Sequence, residues 1–149
     1  MTNDVTIETQ MLIRKPVEIV FNAFIDPAIT TKFWFTKSSG PLQEGKTVTW
    51  EWEMYKVSSN VTTKKIIPGQ FISTEWGDPA TMVDYEFNAL TDDTTYVVIK
   101  NYGFNLSGEE LIAAVMNNTG GFTTVLDGLK AYLEYGIELN LVGDKFIKK

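Results

Sequence analysis

Apolar and polar positions change period several times along the chain, and each change marks a predicted element. Val5, Ile7, Thr9, Met11 and Ile13 alternate with Thr6, Glu8 and Gln10, the period of two that a strand with one buried face requires. Pro16 stands where a helix accepts its first residue, because the N–H it lacks would be unsatisfied there anyway. Ile19, Val20, Ala23 and Phe24 follow at helical spacing as far as Asp26-Pro27. A second short helix is predicted over residues 27–35, carrying Ile29, Phe33 and Trp34, and Ser38-Ser39-Gly40-Pro41 reads as the loop that closes it.

From residue 46 the period returns to two. Val48, Trp50, Trp52 and Met54 face one way and Thr47, Thr49, Glu51 and Glu53 the other. Two tryptophans on the inner face of one strand demand a wide interior. Strand patterns follow over residues 57–67, 70–76, 81–89 and 94–104, separated by Pro68-Gly69, Gly77-Asp78-Pro79 and Thr91-Asp92-Asp93. Connections this short favour antiparallel neighbours. The strand over 57–67 does not assign its own faces, since Val61 and Ile67 share a parity with Lys65.

The last segment is helical. Ser107-Gly108-Glu109-Glu110 matches a capping box, and Leu111, Ile112, Val115 and Met116 form an apolar stripe. Residues 117–121 interrupt it, because the pair Gly120-Gly121 costs about 2 kcal/mol relative to alanine in a helix. The interruption either bends the helix or marks a mouth beside the Trp34 loop. Phe122, Val125, Leu126, Leu129 and Leu133 resume the stripe. The order of elements predicts an α+β fold in one domain over residues 1–149: a six-stranded, curved antiparallel sheet wrapped around a long C-terminal helix, with two short helices after the first strand.

Composition then narrows the chemistry. The 149 residues include no cysteine and no histidine, which removes thiol nucleophiles, Cys/His zinc sites and imidazole bases. No catalytic residue, metal site or cofactor is expected. Thirteen Lys and Arg against nineteen Asp and Glu leave a net charge of −6, and the basic residues cluster no further than Lys64-Lys65 and Lys148-Lys149. Phosphate neutralisation has little to work with, so nucleic-acid binding is not expected. No signal peptide and no run long enough to span a membrane is visible, and the expected location is cytoplasmic. The pattern sets no oligomeric state.

Aromatic residues make up 13% of the chain, and strand parity gives them a place. Trp50, Trp52, Trp76, Tyr85 and Phe87 point inward, with the polar Thr9, Thr74 and Asn101. The carboxylates of Glu8, Glu51, Glu53, Glu75, Asp84 and Glu86 all fall on the wet face, out of reach of a substrate held inside. Any single inward ring is more often plain core than pocket wall; Trp50 and Trp52 together must fill a large space or line one. The candidate ligand-binding residues are therefore Trp34, Trp50, Trp52, Trp76, Tyr85, Phe87 and Asn101, with the helix face of Phe122, Leu126 and Leu129.

These residues resemble the START-like, or helix-grip (SRPBCC), superfamily, and within it bacterial proteins similar to the activator of heat-shock protein 90 ATPase. The resemblance spans nearly the whole chain. It rests on Pro16-Val17-Glu18-Ile19-Val20-Phe21-Asn22-Ala23-Phe24, on Asp26-Pro27 followed by Phe33-Trp34, and on Gly45-Lys46-Thr47-Val48-Thr49-Trp50-Glu51-Trp52. Most specific is Gly120-Gly121-Phe122-Thr123-Thr124-Val125-Leu126-Asp127-Gly128-Leu129-Lys130-Ala131-Tyr132-Leu133-Glu134. It implies a hydrophobic cavity between curved sheet and long helix; members of the superfamily bind lipids, sterols, polyketides or plant hormones, and some cyclise polyketides. The eukaryotic co-chaperone has a second, N-terminal domain for which this chain is expected to have no room.

Three functions follow as expectations. The first is a non-catalytic carrier or sensor of a small apolar or aromatic molecule. The second is a cyclase or dehydratase in which Tyr85 and Asn101 polarise a carbonyl. The third is a module that meets a chaperone or another protein through the acidic face of Glu51, Glu53, Asp84 and Glu86.

Overall fold

The computed structural model describes residues 5–147. Alternation at the N-terminus gives β1 (Ile7–Ile13), with Ile7, Thr9 and Ile13 buried on one face. Pro16 is extended, at φ −59° and ψ 149°, and precedes the helix by one residue. α1 (Val17–Ile25) buries Val20, Ala23 and Phe24. Asp26 then accepts a hydrogen bond from the Ala28 amide at 2.9 Å, which starts α2 (Pro27–Thr30), a single turn. The helix predicted over residues 27–35 stops there because Phe33, Trp34 and Phe35 are all buried. Successive helical side chains point about 100° apart, so three consecutive rings reach one core only from irregular chain.

The segment read as a loop from Ser38 contributes a short strand, β2 (Lys37–Ser38), to the edge of β3 (Thr47–Trp52), in the register Lys37↔Glu51 and Ser38↔Trp50. The Thr36 amide donates to the Glu51 carbonyl at 2.8 Å and the Ser39 amide to the Thr49 carbonyl at 3.0 Å. Backbone groups beside a buried tryptophan need such partners. With β4 (Val57–Ile67), β5 (Phe71–Trp76), β6 (Thr81–Thr91) and β7 (Thr94–Tyr102), the result is a seven-stranded antiparallel sheet in the order β1-β7-β6-β5-β4-β3-β2. That is one strand more than the six expected.

The parity conflict in β4 is resolved by a bulge. Thr63 opposes Thr74 but Lys65 opposes Ser73, so Lys64 is the extra residue. Val61 and Thr63 before it, and Ile66 after it, can then all face the core while Lys65 stays exposed. Met54 leaves the strand pattern. After Trp52 the chain makes a 3-10 turn, Glu53–Tyr55, and ends it on Lys56 at φ +53°.

α3 (Gly108–Tyr135) runs unbroken for 28 residues, so the predicted interruption at 117–121 is absent. Phe122, Val125, Leu126 and Leu129 are buried, and at about 1.5–3 kcal/mol each their burial outweighs the cost of two glycines. The capping box also fails to form. Ser107 occupies the cap position without a side-chain bond, the helix being entered through Gly108 at φ +57°. The C-terminal half of α3 is tied to β1: Lys130 Nζ donates to the Leu12 carbonyl at 2.7 Å and pairs with Glu134 at 2.7 Å. Glu134 also accepts the Arg14 amide at 2.9 Å. Gly136, at φ +67°, ends the helix, and α4 (Leu141–Asp144) follows as one short turn. Among the described residues no helix is long and apolar enough to cross a membrane.

Candidate ligand-binding cavity

Trp52 ends β3 and Trp76 ends β5; both flank β4, opposite Val57 and Val61 respectively. This brings their rings to 6.2 Å between centroids. Trp34, carried there by the irregular chain after α2, lies 5.9 Å from Trp76. Phe122 of α3 completes the cluster, 5.7 Å from Trp76 and 6.1 Å from Trp34. These four rings line a cavity of about 470 Å³ at one end of the molecule, within the size range of pockets that take small organic ligands.

The helical wall of the cavity includes Asn117, Asn118, Gly121, Thr124 and Val125. A Cβ at Gly121 would meet nothing within 4 Å; the bare glycine leaves open space. Asn118 is fixed by a buried amide relay. Its Nδ2 donates to Asn101 Oδ1 at 3.0 Å, and Asn101 Nδ2 donates to Thr81 Oγ1 at 3.0 Å and to the Met82 carbonyl at 2.8 Å. The remaining wall is the C-terminal segment, through Val142, Lys145 and Phe146. Tyr55 holds it in place, its hydroxyl donating to the Val142 carbonyl at 2.5 Å and the Gly143 carbonyl at 3.2 Å.

Of the residues expected to bind ligand, Trp34, Trp52, Trp76 and Phe122 line this cavity. Trp50, Tyr85, Phe87, Leu126 and Leu129 are packed in the core and do not line it. Trp50 stacks on Phe35 at 4.4 Å and 19°. Tyr85 lies against Phe24 at 5.3 Å, and burial pushes its phenol above the usual range. Phe87 packs edge-on to Phe21 and Phe24. Asn101 is fully buried and is linked to the lining through Asn118.

Asn117, Asn118 and Gly121, within the stretch expected either to bend the helix or to mark a mouth beside the Trp34 loop, also line the cavity, as do Tyr55, Thr124, Val125, Val142, Lys145 and Phe146, which were not among the expected ligand-binding residues. Had α3 been read as continuous, Asn118 would have stood one turn before Phe122, and Gly121 one turn before Val125, on the apolar stripe. The C-terminal segment offers no periodic signal.

The electrostatics are one-sided. Among the described residues no carboxylate lines the cavity, and Lys145 is the single charged side chain that does. Glu51, Glu75 and Glu86 pair instead with Lys37, Lys64 and Lys100. Asp84 accepts from Ser73 Oγ at 2.6 Å and the Tyr102 hydroxyl at 3.0 Å. No cluster of three or more acidic side chains suited to a metal occurs among the described residues. At another edge, a more open groove of about 610 Å³ is lined by Phe21, Phe87, Gln70 and their neighbours. It lacks a tryptophan wall.

A curved antiparallel sheet gripping one long helix, with an aromatic cavity at their junction, defines the START-like, helix-grip class of α+β proteins. The chain belongs to the family described as Activator of Hsp90 ATPase homolog 1-like protein, whose profile matches residues 14–134. A crystal structure of a protein from Staphylococcus saprophyticus is similar at 29% identity and a TM-score of 0.78, covering 91% of this chain and 96% of that one. DynU16, a putative protein in the dynemicin biosynthetic locus, is 16% identical with a TM-score of 0.80; 91% of this chain is covered, but only 49% of that one. An Hsp90 activator from Plasmodium falciparum is 18% identical with a TM-score of 0.68, covering 86% and 95%. At identities of 16 and 18% these last two likenesses concern the fold alone. No curated protein matches the chain.

Proposed function

We propose that this protein binds a small hydrophobic or aromatic molecule, lipid-like or polyketide-like, and acts on it as a carrier or sensor without chemical change. The observation that carries this reading is a cavity of about 470 Å³ walled by three tryptophans and a phenylalanine, with no carboxylate among the described residues on its lining. A cyclase must move a proton at its substrate. Tyr85 and Asn101, the groups considered for that work, are buried off the lining, and the Asn101 amide is engaged by Thr81 and the Met82 carbonyl. Burying about 300 Å² of apolar ligand surface contributes roughly 7 kcal/mol, and association costs at least about 4 kcal/mol. Apolar contact alone therefore makes a weak binder, and polar groups at the rim supply the remainder.

The neutral fluorescent probe N-phenyl-1-naphthylamine tests the cavity. Its emission is expected to rise to saturation with the wild-type protein. Gly121→Leu places a side chain into the open space above α3 and should weaken the probe by at least about tenfold, with far-UV circular dichroism unchanged. Equal binding to both proteins would place the probe elsewhere and overturn the reading.

A further inference from the structure

The charge on the cavity points to a ligand class more specific than an apolar molecule. The chain carries a net charge of −6 and nineteen acidic residues, yet among the described residues no carboxylate lines the cavity and the one charge there is the Lys145 ammonium. Lys145, like Lys15, Lys32, Lys46, Lys56 and Lys65, makes no ion pair among the described residues; what sets it apart is its place on the cavity lining. Its Nζ lies 3.7 Å from where a Cβ on Gly120 would stand. The ammonium thus lies near the side-chain-free stretch of α3 next to Gly121 and 5.9 Å from the Phe146 ring centroid.

Asn117, one helical turn before Gly121, adds an amide donor to the same wall. Trp52 and Trp76 line the same cavity. The lining therefore combines aromatic rings with a cation and an amide donor.

We propose that the ligand is an amphipathic carboxylate, an aromatic or acyl body bearing one acid group. The body lies between Trp52, Trp76 and Phe122, and the carboxylate meets the Lys145 ammonium and the Asn117 amide at the mouth. This rests on the binding role proposed above and specifies its ligand. Lys145 is exposed, so the carboxylate keeps part of its hydration and the ammonium need not be stripped of water. An exposed pair of this kind contributes modestly, about fivefold or less in affinity, and is weakened by salt. Its effect is selection among molecules of the same shape: a cationic analogue meets a like charge, and a neutral one forgoes the ion pair.

The test uses three probes with one body, 6-phenylhexanoate, 6-phenylhexan-1-ol and 6-phenylhexylamine, titrated against the intrinsic tryptophan fluorescence of the full chain. The acid is expected to bind about threefold to fivefold more tightly than the alcohol at low salt, and the amine most weakly. The acid-to-alcohol ratio should fall towards one in Lys145→Met, which keeps the apolar stem, and also when salt is raised. Equal binding of acid and alcohol by the wild type, or a preference that survives Lys145→Met, would overturn the ligand class and leave the carrier role standing. If neither acid nor alcohol binds, and N-phenyl-1-naphthylamine does not either, both proposals fall.

Discussion

Trp34, Trp50, Trp52 and Trp76 lie in one connected set of ring contacts, with centroids 4.8 to 6.5 Å apart, yet their surroundings give them different parts. Trp50 is 2% exposed and stacked on Phe35; Trp52, two residues on, is partly buried and lines the cavity. Truncating a fully packed tryptophan leaves a large void, so Trp50→Ala is expected to lower unfolding stability by about 3–5 kcal/mol. Trp52→Ala should cost less than half as much but remove most of the affinity for a neutral aromatic probe. Urea denaturation with the probe titration separates the two roles, and a Trp52 variant as unstable as the Trp50 variant would contradict this assignment. Neighbouring inward positions on one strand look alike in the sequence. What distinguishes them is how Phe35 meets each, stacked face-on against Trp50 at 4.4 Å but only edge-on to Trp52 at 6.3 Å.

At the scale of elements, α3 is where local propensity and tertiary packing disagree. Gly120-Gly121 is a sound reason to expect a break, and the helix continues because Phe122, Val125, Leu126 and Leu129 are buried on one stripe. Gly121→Ala is therefore expected to raise stability by up to about 1 kcal/mol, as the new Cβ meets nothing within 4 Å. Gly136→Ala should do the opposite, costing roughly 1–2 kcal/mol, because Gly136 sits at φ +67°. Thermal unfolding of the two variants checks the pair; a destabilised Gly121→Ala would mean that the helix is strained at that point. The main strands were legible because alternation over six or more residues has few other readings. β2 was not, since two residues carry no period and pair only because β3 has an edge to cover.

Across the whole molecule, the contact between the end of β1 and α3 makes stability depend on pH. Burial alone would raise the Glu134 carboxyl, but the Lys130 ammonium, the Arg14 amide and the charges of both residues hold it below its ordinary value of 4.5. A carboxyl depressed on folding contributes stability in full above the unfolded-state value, and loses it as pH falls through the folded one. The gap in unfolding midpoint between wild type and Glu134→Gln should therefore be widest near neutrality and narrow below about pH 4.5. A gap that stays constant on acidification would show that Glu134 acts through packing alone. Much of the fold was settled locally: side-chain periods place the long strands, and the apolar stripe from Phe122 onward gives the sheet something to wrap. Strand parity likewise turns the acidic residues outward without any knowledge of the fold. The cavity was decided only in three dimensions. Its walls come from the ends of β3 and β5, the chain after α2, one side of an unbroken α3 and the C-terminal segment held by Tyr55. Periodicity tells which way a side chain points, whereas a cavity depends on which distant segments stop short of one another, and that is a property of packing.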